Sequence, residues 1–476
     1  MSDEIPVKNL AQPADNSVEE ARPESFNLYQ KREKIYTRKI EGFYQRLRLF
    51  TGWPLLIGYF ALPWLSWDGR QSVLFDLPNR QFHIFDITFW PQDFMLLAWL
   101  LIIAAFGLFF VTTWLGRIWC GYSCPQTVWT SIFMWAEQIT EGDRNARVKL
   151  DRQPWSVNKV IKKTLKHAIW IGVSVATALT FVGYFTPIKE LVVSLAFFTL
   201  GPWEAFWLLF FTLATYGNAG WLREQVCMYM CPYARFQAAM FDQDTLIVSY
   251  DPKRGEQRGS RKKGAAYKEE GLGDCIDCQL CVQVCPTGID IRDGLQYECI
   301  NCALCIDACN SMMDKMEYPR GLIRYTTEHK LEHVSGGIMR PKLIGYGLAL
   351  LLMSLAFSYA ISNRTPLQLD IIRDRNQLYR ETSEGLVENT YTLKVLNMSQ
   401  QSMRYTISVE GIDDLSLKGN TEIELAAGEV LAVPLRVEID PALLQNINMP
   451  IEFRVVATDQ SVSASEQTRF LGPRIR

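Results

Sequence analysis

Between Cys275 and Cys309 two cysteine runs stand back to back, Cys275-Ile-Asp-Cys278-Gln-Leu-Cys281-Val-Gln-Val-Cys285-Pro286 and Cys299-Ile-Asn-Cys302-Ala-Leu-Cys305-Ile-Asp-Ala-Cys309. The repeated C-x2-C-x2-C-x3-C spacing is one that binds a pair of [4Fe–4S] cubanes. Three closely spaced thiolates reach three corners of a cube, and the fourth cysteine of each run is held too far off and serves the other cube. Cys275, Cys278, Cys281 and Cys309 are therefore expected to hold one cluster, and Cys299, Cys302, Cys305 and Cys285 the other. A zinc ribbon needs only paired cysteines, and a disulfide framework does not explain a duplicated run of eight. A chain built around this segment is expected to move single electrons.

At 476 residues there is room for several domains. Hydrophobic residues make up 48% and charged residues 21%, a mixture that suggests apolar spans separated by soluble parts. The net charge of −2 argues against a dedicated nucleic-acid binder. Met1 to Asn27 is polar, acidic and proline-containing; it shows no cleavable signal peptide and is expected to be a disordered tail. All twelve cysteines lie between Cys120 and Cys309. Cluster ligands must stay reduced, so their region is expected to face the cytoplasm, whereas the cysteine-free last third can face an oxidising compartment.

Five stretches approach the ~20 apolar residues needed to cross a bilayer as helix: Leu49–Trp67, Phe94–Leu115, His167–Phe185, Pro202–Trp221 and Leu343–Ile361. Leu191–Leu200 is also apolar and is either a short re-entrant or interfacial helix or a loop. Lysines and arginines gather before the first stretch, between the second and third (Arg144 to Lys166) and after the fourth (Lys253 to Lys263). The positive-inside bias then puts the N-terminus and the cluster segment in the cytoplasm and the C-terminus outside. The tail from Ser362 alternates apolar and polar residues in short runs, as in Tyr391-Thr-Leu-Lys-Val-Leu and Ile451-Glu-Phe-Arg-Val-Val, broken by turn residues. That patterning predicts an immunoglobulin-like β-sandwich without the cysteine pair of antibody domains.

The four remaining cysteines form two matching pairs, Cys120-Gly-Tyr-Ser-Cys124-Pro125 and Cys227-Met-Tyr-Met-Cys231-Pro232, each just past the end of an apolar stretch. On one helical turn, positions i and i+4 share a face, and the following proline tends to end the helix. If the second and fourth spans are neighbours, four sulfurs converge at the membrane surface. Thiolates select Cu(I), zinc or iron–sulfur groups over hard ions; the alternative is that buried cysteines pack as small hydrophobes. Weaker candidates are His329 and His333, spaced as a helical metal clamp or a solvated helix face, and the span residues His167 and Glu204.

Taken together, Gly116-Arg-Ile-Trp-Cys120-Gly-Tyr-Ser-Cys124-Pro125-Gln126, the run from Cys231 to Asp242, Tyr250-Asp-Pro-Lys-Arg-Gly-Glu256, the double cysteine run and Gly321-Leu-Ile-Arg-Tyr325 resemble the CcoG/FixG/RdxA family of membrane polyferredoxins, the cytochrome c oxidase accessory proteins. The resemblance covers nearly the whole chain, and the C-x3-C-P pairs are shared with NapH- and NosR-like electron-transfer proteins. One departure from the generic ferredoxin pattern is Asn310, which stands where the first run has Pro286 and leaves the local turn geometry open. The expected architecture is a multidomain membrane protein: a cytoplasmic tail (1–45), a four-span helical domain (46–235), an inserted α+β two-cluster ferredoxin-like domain (236–340), a fifth span (341–361) and a periplasmic immunoglobulin-like sandwich (362–476).

The resemblance implies a multi-pass protein of the bacterial inner membrane with two [4Fe–4S] clusters. Copper would be its substrate or transient ligand at Cys120, Cys124, Cys227 and Cys231, reduced from Cu(II) to Cu(I) to support assembly of a cbb-type haem-copper oxidase. Implied partners are copper chaperones or oxidase subunits; the cytosolic electron donor and any homo-oligomer stay open. The rivals are a quinol-linked electron-transfer module near the third and fourth spans and a non-enzymatic assembly scaffold.

Overall fold

The computed structural model describes residues 34–67, 69–334, 337, 340–374, 377–399, 401–444, 446–459 and 462–473, so the expected tail of residues 1–27 lies outside the described residues. Helix α1 (Phe43–Ala61) begins earlier than the expected first span, taking Arg46 and Arg48 into its opening turns, and ends where Pro63 imposes a 3-10 turn at Leu62–Trp64. Short antiparallel ribbons follow: β1 (Ser66–Trp67), β2 (Arg70–Gln71), β3 (Val73–Asp76), β4 (Gln81–Ile84) and β5 (Ile87–Phe89). They lead into α2 (Phe94–Leu115).

The basic stretch after α2 folds into α3 (Ile118–Tyr122), α4 (Pro125–Glu141) and α5 (Arg144–Arg152), and its lysines continue into the first turns of α6 (Val157–Val182). The Leu191–Leu200 stretch contributes α7 (Ile188–Ala196), whose nine residues cover roughly 13 Å and cannot cross a bilayer. Next come α8 (Pro202–Thr215), π-helical turns at Tyr216–Leu222 and Val226–Met230, and α9 (Pro232–Met240). The cysteine-rich insert holds β6 (Ile247–Tyr250), α10 (Pro252–Gly255), α11 (Leu280–Val284), α12 (Leu304–Met316), β7 (Ile323–Thr326) and α13 (Glu328–Glu332), with β6 and β7 paired antiparallel. A last long helix, α14 (Pro341–Ser362), connects to the C-terminal domain.

Among the described residues, three helices are long and apolar enough to cross a membrane: Pro91–Leu115, Val157–Val182 and Pro341–Ser362. The other two expected spans are helical but fall short of that standard. Helix α1 opens on two arginines, and α8 gives way to π-helical turns after fourteen residues. Helices α2 and α14 run antiparallel with both ends pinned. Arg340, before α14, donates to the Thr113 carbonyl near the end of α2 at 3.0 Å; Arg364, after α14, donates to Asp93 at 3.0 Å and to the Thr88 carbonyl at 3.1 Å.

A buried ionic bridge orders the helices beside α2. The Glu137 carboxylate on α4 accepts from Arg147 of α5 and from Arg223, each at 2.7 Å. Burial alone would raise the Glu137 pKa, but the Arg223 and Arg147 guanidiniums outweigh it and hold the carboxyl below its ordinary range. Arg147 also donates to the Thr37 carbonyl, so one buried site joins the segment before α1 to α4, α5 and the start of the second cysteine pair.

The C-terminal domain is the expected two-sheet sandwich. One sheet runs β12 (Ser416–Gly419), β14 (Val430–Ile439), β10 (Val387–Asn397), β8 (Leu367–Arg373), with β9 (Arg380–Glu381) also on β10. The other runs β13 (Glu422–Leu425), β11 (Met403–Glu410), β15 (Asn448–Ala457), β16 (Ser463–Leu471). Alternation does what its period demands: Tyr391, Leu393 and Val395 on β10 and Ile451, Phe453 and Val455 on β15 face one shared core. Asn397, fully buried, bridges the sheets: its amide donates to the Gln401 and Ala426 carbonyls at 2.8 and 3.1 Å, and its oxygen accepts from the Tyr405 hydroxyl at 3.0 Å. Residues 365–473 expressed alone should fold with a strand-dominated circular dichroism spectrum. Asn397→Ala should lower the stability of that fragment by roughly 2–4 kcal/mol in urea unfolding, because it strands several buried polar groups at once.

Candidate metal centres

Each cysteine run is shaped by the same unusual backbone. Asp277 and Gln279 in the first run, and Asn301 and Ala303 in the second, adopt φ of 53°, 56°, 52° and 59°, left-handed values that side chains other than glycine rarely take. Alternating handedness at these positions curls the chain into a concavity lined by backbone N–H groups, suited to an anionic iron–sulfur group. Each run then enters a short helix, α11 or α12. Pro286 stops α11 at Val284, whereas Asn310 lets α12 continue to Met316 and receives the Gly321 N–H on its side-chain oxygen at 3.0 Å. The departure at Asn310 therefore lengthens a helix and leaves the ligands in place.

The thiols of the two runs lie close enough to influence one another. Burial pushes the Cys309 thiol up to about 12, with Cys275 and Cys278 of the first run adding to the shift. Burial likewise pushes Cys281 up to about 12, with Cys309 and Cys278 among its neighbours. In the second run burial raises Cys299 to about 12 and Cys305 well above its ordinary value, with Cys285 contributing to both. Cys309 is thus within electrostatic range of Cys275, Cys278 and Cys281, and Cys285 of Cys299, Cys302 and Cys305. Cys285, Cys299, Cys302 and Cys305 line a small hollow together with Cys281 and apolar residues such as Val248. Among the described residues, no three His, Cys, Asp or Glu side chains close around a single ion; these thiols ring a concavity. Four cysteines around an apolar hollow fit a cubane, each of whose irons takes one thiolate. Arg292, bonded to Asp290 at 2.8 Å, brings positive charge beside Cys281, one of the levers that set a cluster's potential.

The other four cysteines are placed differently from a continuous helical turn. Cys120 lies in α3 and Cys227 in a π-helical turn, while Cys124 and Cys231 are extended, with ψ of 128° and 110°, and cap α4 and α9. Pro125 and Pro232 force the preceding cysteine out of the helical region, and each then opens a new helix as its first residue. The expected helix stop is present, but each pair straddles a break instead of sharing a helical face.

The pairs nevertheless lie within electrostatic range of each other. Burial raises the Cys120 thiol to about 11, with Cys124 and Cys231 adding to it; burial raises Cys227 to about 12, with Cys124, Cys120 and Cys231 all contributing. Gln237, six residues after Cys231, joins them. Fully buried, it accepts from the Cys120 thiol at 3.5 Å. Sequence reasoning missed Gln237; its only signal was its place in the run from Cys231 to Asp242. The weaker candidates are accounted for locally. His329 bonds Asp244 at 2.9 Å, His333 ends α13 in a left-handed turn, His167 meets the Tyr216 hydroxyl at 3.0 Å, and Glu204 accepts the Gly201 N–H at 2.9 Å.

Comparison with known proteins agrees with this geometry. Residues 222–328 match a family model described as a 4Fe-4S dicluster domain, residues 97–138 one described as a 4Fe-4S binding domain, and residues 357–473 the IG-like fold at the C-terminal of FixG. The nitrogen fixation protein FixG of Rhizobium meliloti is 39% identical over 450 residues, covering 87% of this chain and 85% of its own. Protein RdxB of Cereibacter sphaeroides is 40% identical over 423 residues, 85% of this chain and 88% of its own. The chain belongs to the FixG/RdxA/RdxB family. Protein RdxA of Cereibacter sphaeroides, at 39% over 417 residues, spans 84% of this FixG-family chain and 87% of its own. The crystal structure of a FixG-related protein from Vibrio parahaemolyticus is 37% identical, with a TM-score of 0.22, over 23% of this chain and 97% of that one.

The double run of this FixG-family protein should carry about eight irons per chain when prepared anaerobically. Cys309→Ser should weaken chiefly the cluster of the first run, and Cys285→Ser that of the second. Iron analysis with low-temperature EPR of the reduced variants checks the crossover; two zinc ions and no iron would overturn it.

Proposed function

We propose that this FixG-family chain is a membrane-bound iron–sulfur electron-transfer protein that reduces Cu(II) to Cu(I) at Cys120, Cys124, Cys227 and Cys231, in support of copper delivery to a cbb-type haem-copper oxidase during its assembly. The supporting observation is that two C-x3-C-P pairs, far apart in sequence, lie within electrostatic range of each other beside a domain built to hold clusters. Bound clusters supply single electrons. Thiolates hold Cu(I) better than harder ions, so this donor set favours the reduced product. Zinc at the same place would have no use for an electron. Gln237, whose side-chain oxygen accepts from the Cys120 thiol, would orient that thiol.

The chain is proposed to cross the bacterial inner membrane five times, with the cluster domain in the cytoplasm and the sandwich in the periplasm. The antiparallel α2–α14 pair, the basic loops and the cysteine-free C-terminal domain support this reading. Helix α1, at 19 residues roughly 28 Å long, and α8 with its π-helical extension supply the two remaining crossings. The sandwich would then meet oxidase subunits or copper chaperones on the periplasmic side.

A second reading draws on the match of residues 97–138 to a 4Fe-4S binding domain. There the four membrane-edge thiols hold a third cubane, and iron content separates the two: about twelve irons per chain in place of about eight.

Replacing Cys120 and Cys124 together, or Cys227 and Cys231 together, with serine should abolish reoxidation of dithionite-reduced clusters by Cu(II) in stopped flow while about eight irons remain. Wild-type rates in both double variants would move copper reduction elsewhere. Alkaline phosphatase fused after Arg476 should be active and after Gly264 silent; activity at both points would refute the topology.

A further inference from the structure

We infer that electrons reach Cys120 from the cluster site of Cys285, Cys299, Cys302 and Cys305, across a joint made by Gly121, and that the site of Cys275, Cys278, Cys281 and Cys309 is where they are taken up. This order rests on the proposed role of Cys120 in copper reduction. It gives the two otherwise similar cluster sites different tasks.

Gly121 follows Cys120 directly. A Cβ there would lie 2.8 Å from the Ile300 carbonyl oxygen, 2.9 Å from the Cys302 Cα and 3.0 Å from the Asn301 carbonyl oxygen. All three are backbone atoms, with no flexible side-chain end to yield. Glycine is required here for close approach of two backbones. Cys120 itself packs against the group that contains Cys302, Leu304 and Ala308.

The contact is locked from two sides. Arg48 donates to the Gly121 carbonyl at 3.1 Å, and Arg117 donates to the Cys299 carbonyl at 3.3 Å. The first run has other neighbours: the Cys275 carbonyl accepts the Gly259 N–H at 3.2 Å, and Asp274 is held by Arg254 at 2.5 Å and Tyr267 at 2.7 Å. Those partners belong to the insert itself. Tunnelling falls steeply with distance, so the run seated on Cys120 is the one that delivers. With clusters bound, each delivery would move one electron: the cysteines of the second run would hold the group that passes it to Cu(II), giving Cu(I), and those of the first run the group refilled by a cytosolic one-electron donor. No bond to the protein need break.

Gly121→Val and Gly121→Ala test the joint. Iron content and the EPR signal of the dithionite-reduced protein should stay at wild-type levels, while reoxidation by Cu(II) slows by about tenfold or more in the valine variant and less in the alanine variant. Maleimide labelling of Cys120, followed by peptide mass spectrometry, should speed up in the valine variant as the Ile300–Cys302 backbone is pushed off. A cluster-ligand pair tests the order. With Cys302→Ser the remaining first-run signal should persist after Cu(II) is added, and with Cys278→Ser the remaining second-run signal should be lost.

Reoxidation of the surviving cluster in Cys302→Ser at the wild-type rate would overturn the order. If wild-type clusters are not reoxidised by Cu(II), the copper reading falls, and labelling alone decides the joint: unchanged Cys120 labelling in Gly121→Val overturns it. Should the valine variant lose iron, the alanine variant, which adds a single methyl group, carries the test; unslowed reoxidation there overturns the joint.

Discussion

One guanidinium holds three distant parts of this chain in register. Arg117, 5% exposed, donates to the carbonyls of Tyr297 and Cys299 in the cluster domain and, at 3.0 Å, to the Ala234 carbonyl of α9. Its charge is not neutralised by a carboxylate among these contacts. It is solvated by main-chain oxygens and by the faces of Tyr297 and Phe241, with centroids 4.9 and 5.8 Å away. A buried cation is tolerable only when most of its N–H groups find partners, and here both terminal nitrogens do, while Nε has none. Because the three carbonyls come from the second cysteine run and from the helix that follows Cys231, satisfying Arg117 forces the two kinds of cysteine motif together.

The cysteine runs and the sandwich were legible because their signals are local. The ligand spacing defines a cubane set, and period-two alternation such as Ile451, Phe453 and Val455 defines a strand face. The expected crossover of Cys285 and Cys309 is an argument from chain reach alone. The helical boundaries were less legible. Lys159, Lys162, Lys163 and Lys166 look like loop residues by charge, yet Lys163 and Lys166 reach Glu141 at 2.9 and 3.1 Å, so α6 extends through them. Composition cannot show which partner a lysine will find.

The C-x3-C-P motifs show a different limit. Proline excludes the helical region for the residue before it and is well suited to the first position of the next helix. Both effects act at Cys124 and Cys231, and the sequence displays only the first. Gln237 is harder still: a buried amide has no pattern of its own, and its role emerges only when α9 brings it beside Cys120. Side chains that serve a site from another element are specified by packing, which is a property of the folded chain.

The π-helical turns at Tyr216–Leu222 and Val226–Met230 bear on how such a site can be acquired and lost. A π turn carries a residue more than the α turn it replaces, so it shifts everything after it by about 100° around the axis. Cys227 sits within the second of these turns and Arg223 just after the first. A one-residue deletion there would restore regular α-helix and keep the apolar character of the segment. It would also swing Cys227 away from Cys120 and Cys124 and withdraw Arg223 from Glu137. The proposed soft-metal donor set would therefore hang on helix register, and single-residue insertions and deletions, more than substitutions at the cysteines, are the changes by which related chains could gain or lose it without visible damage to the motif.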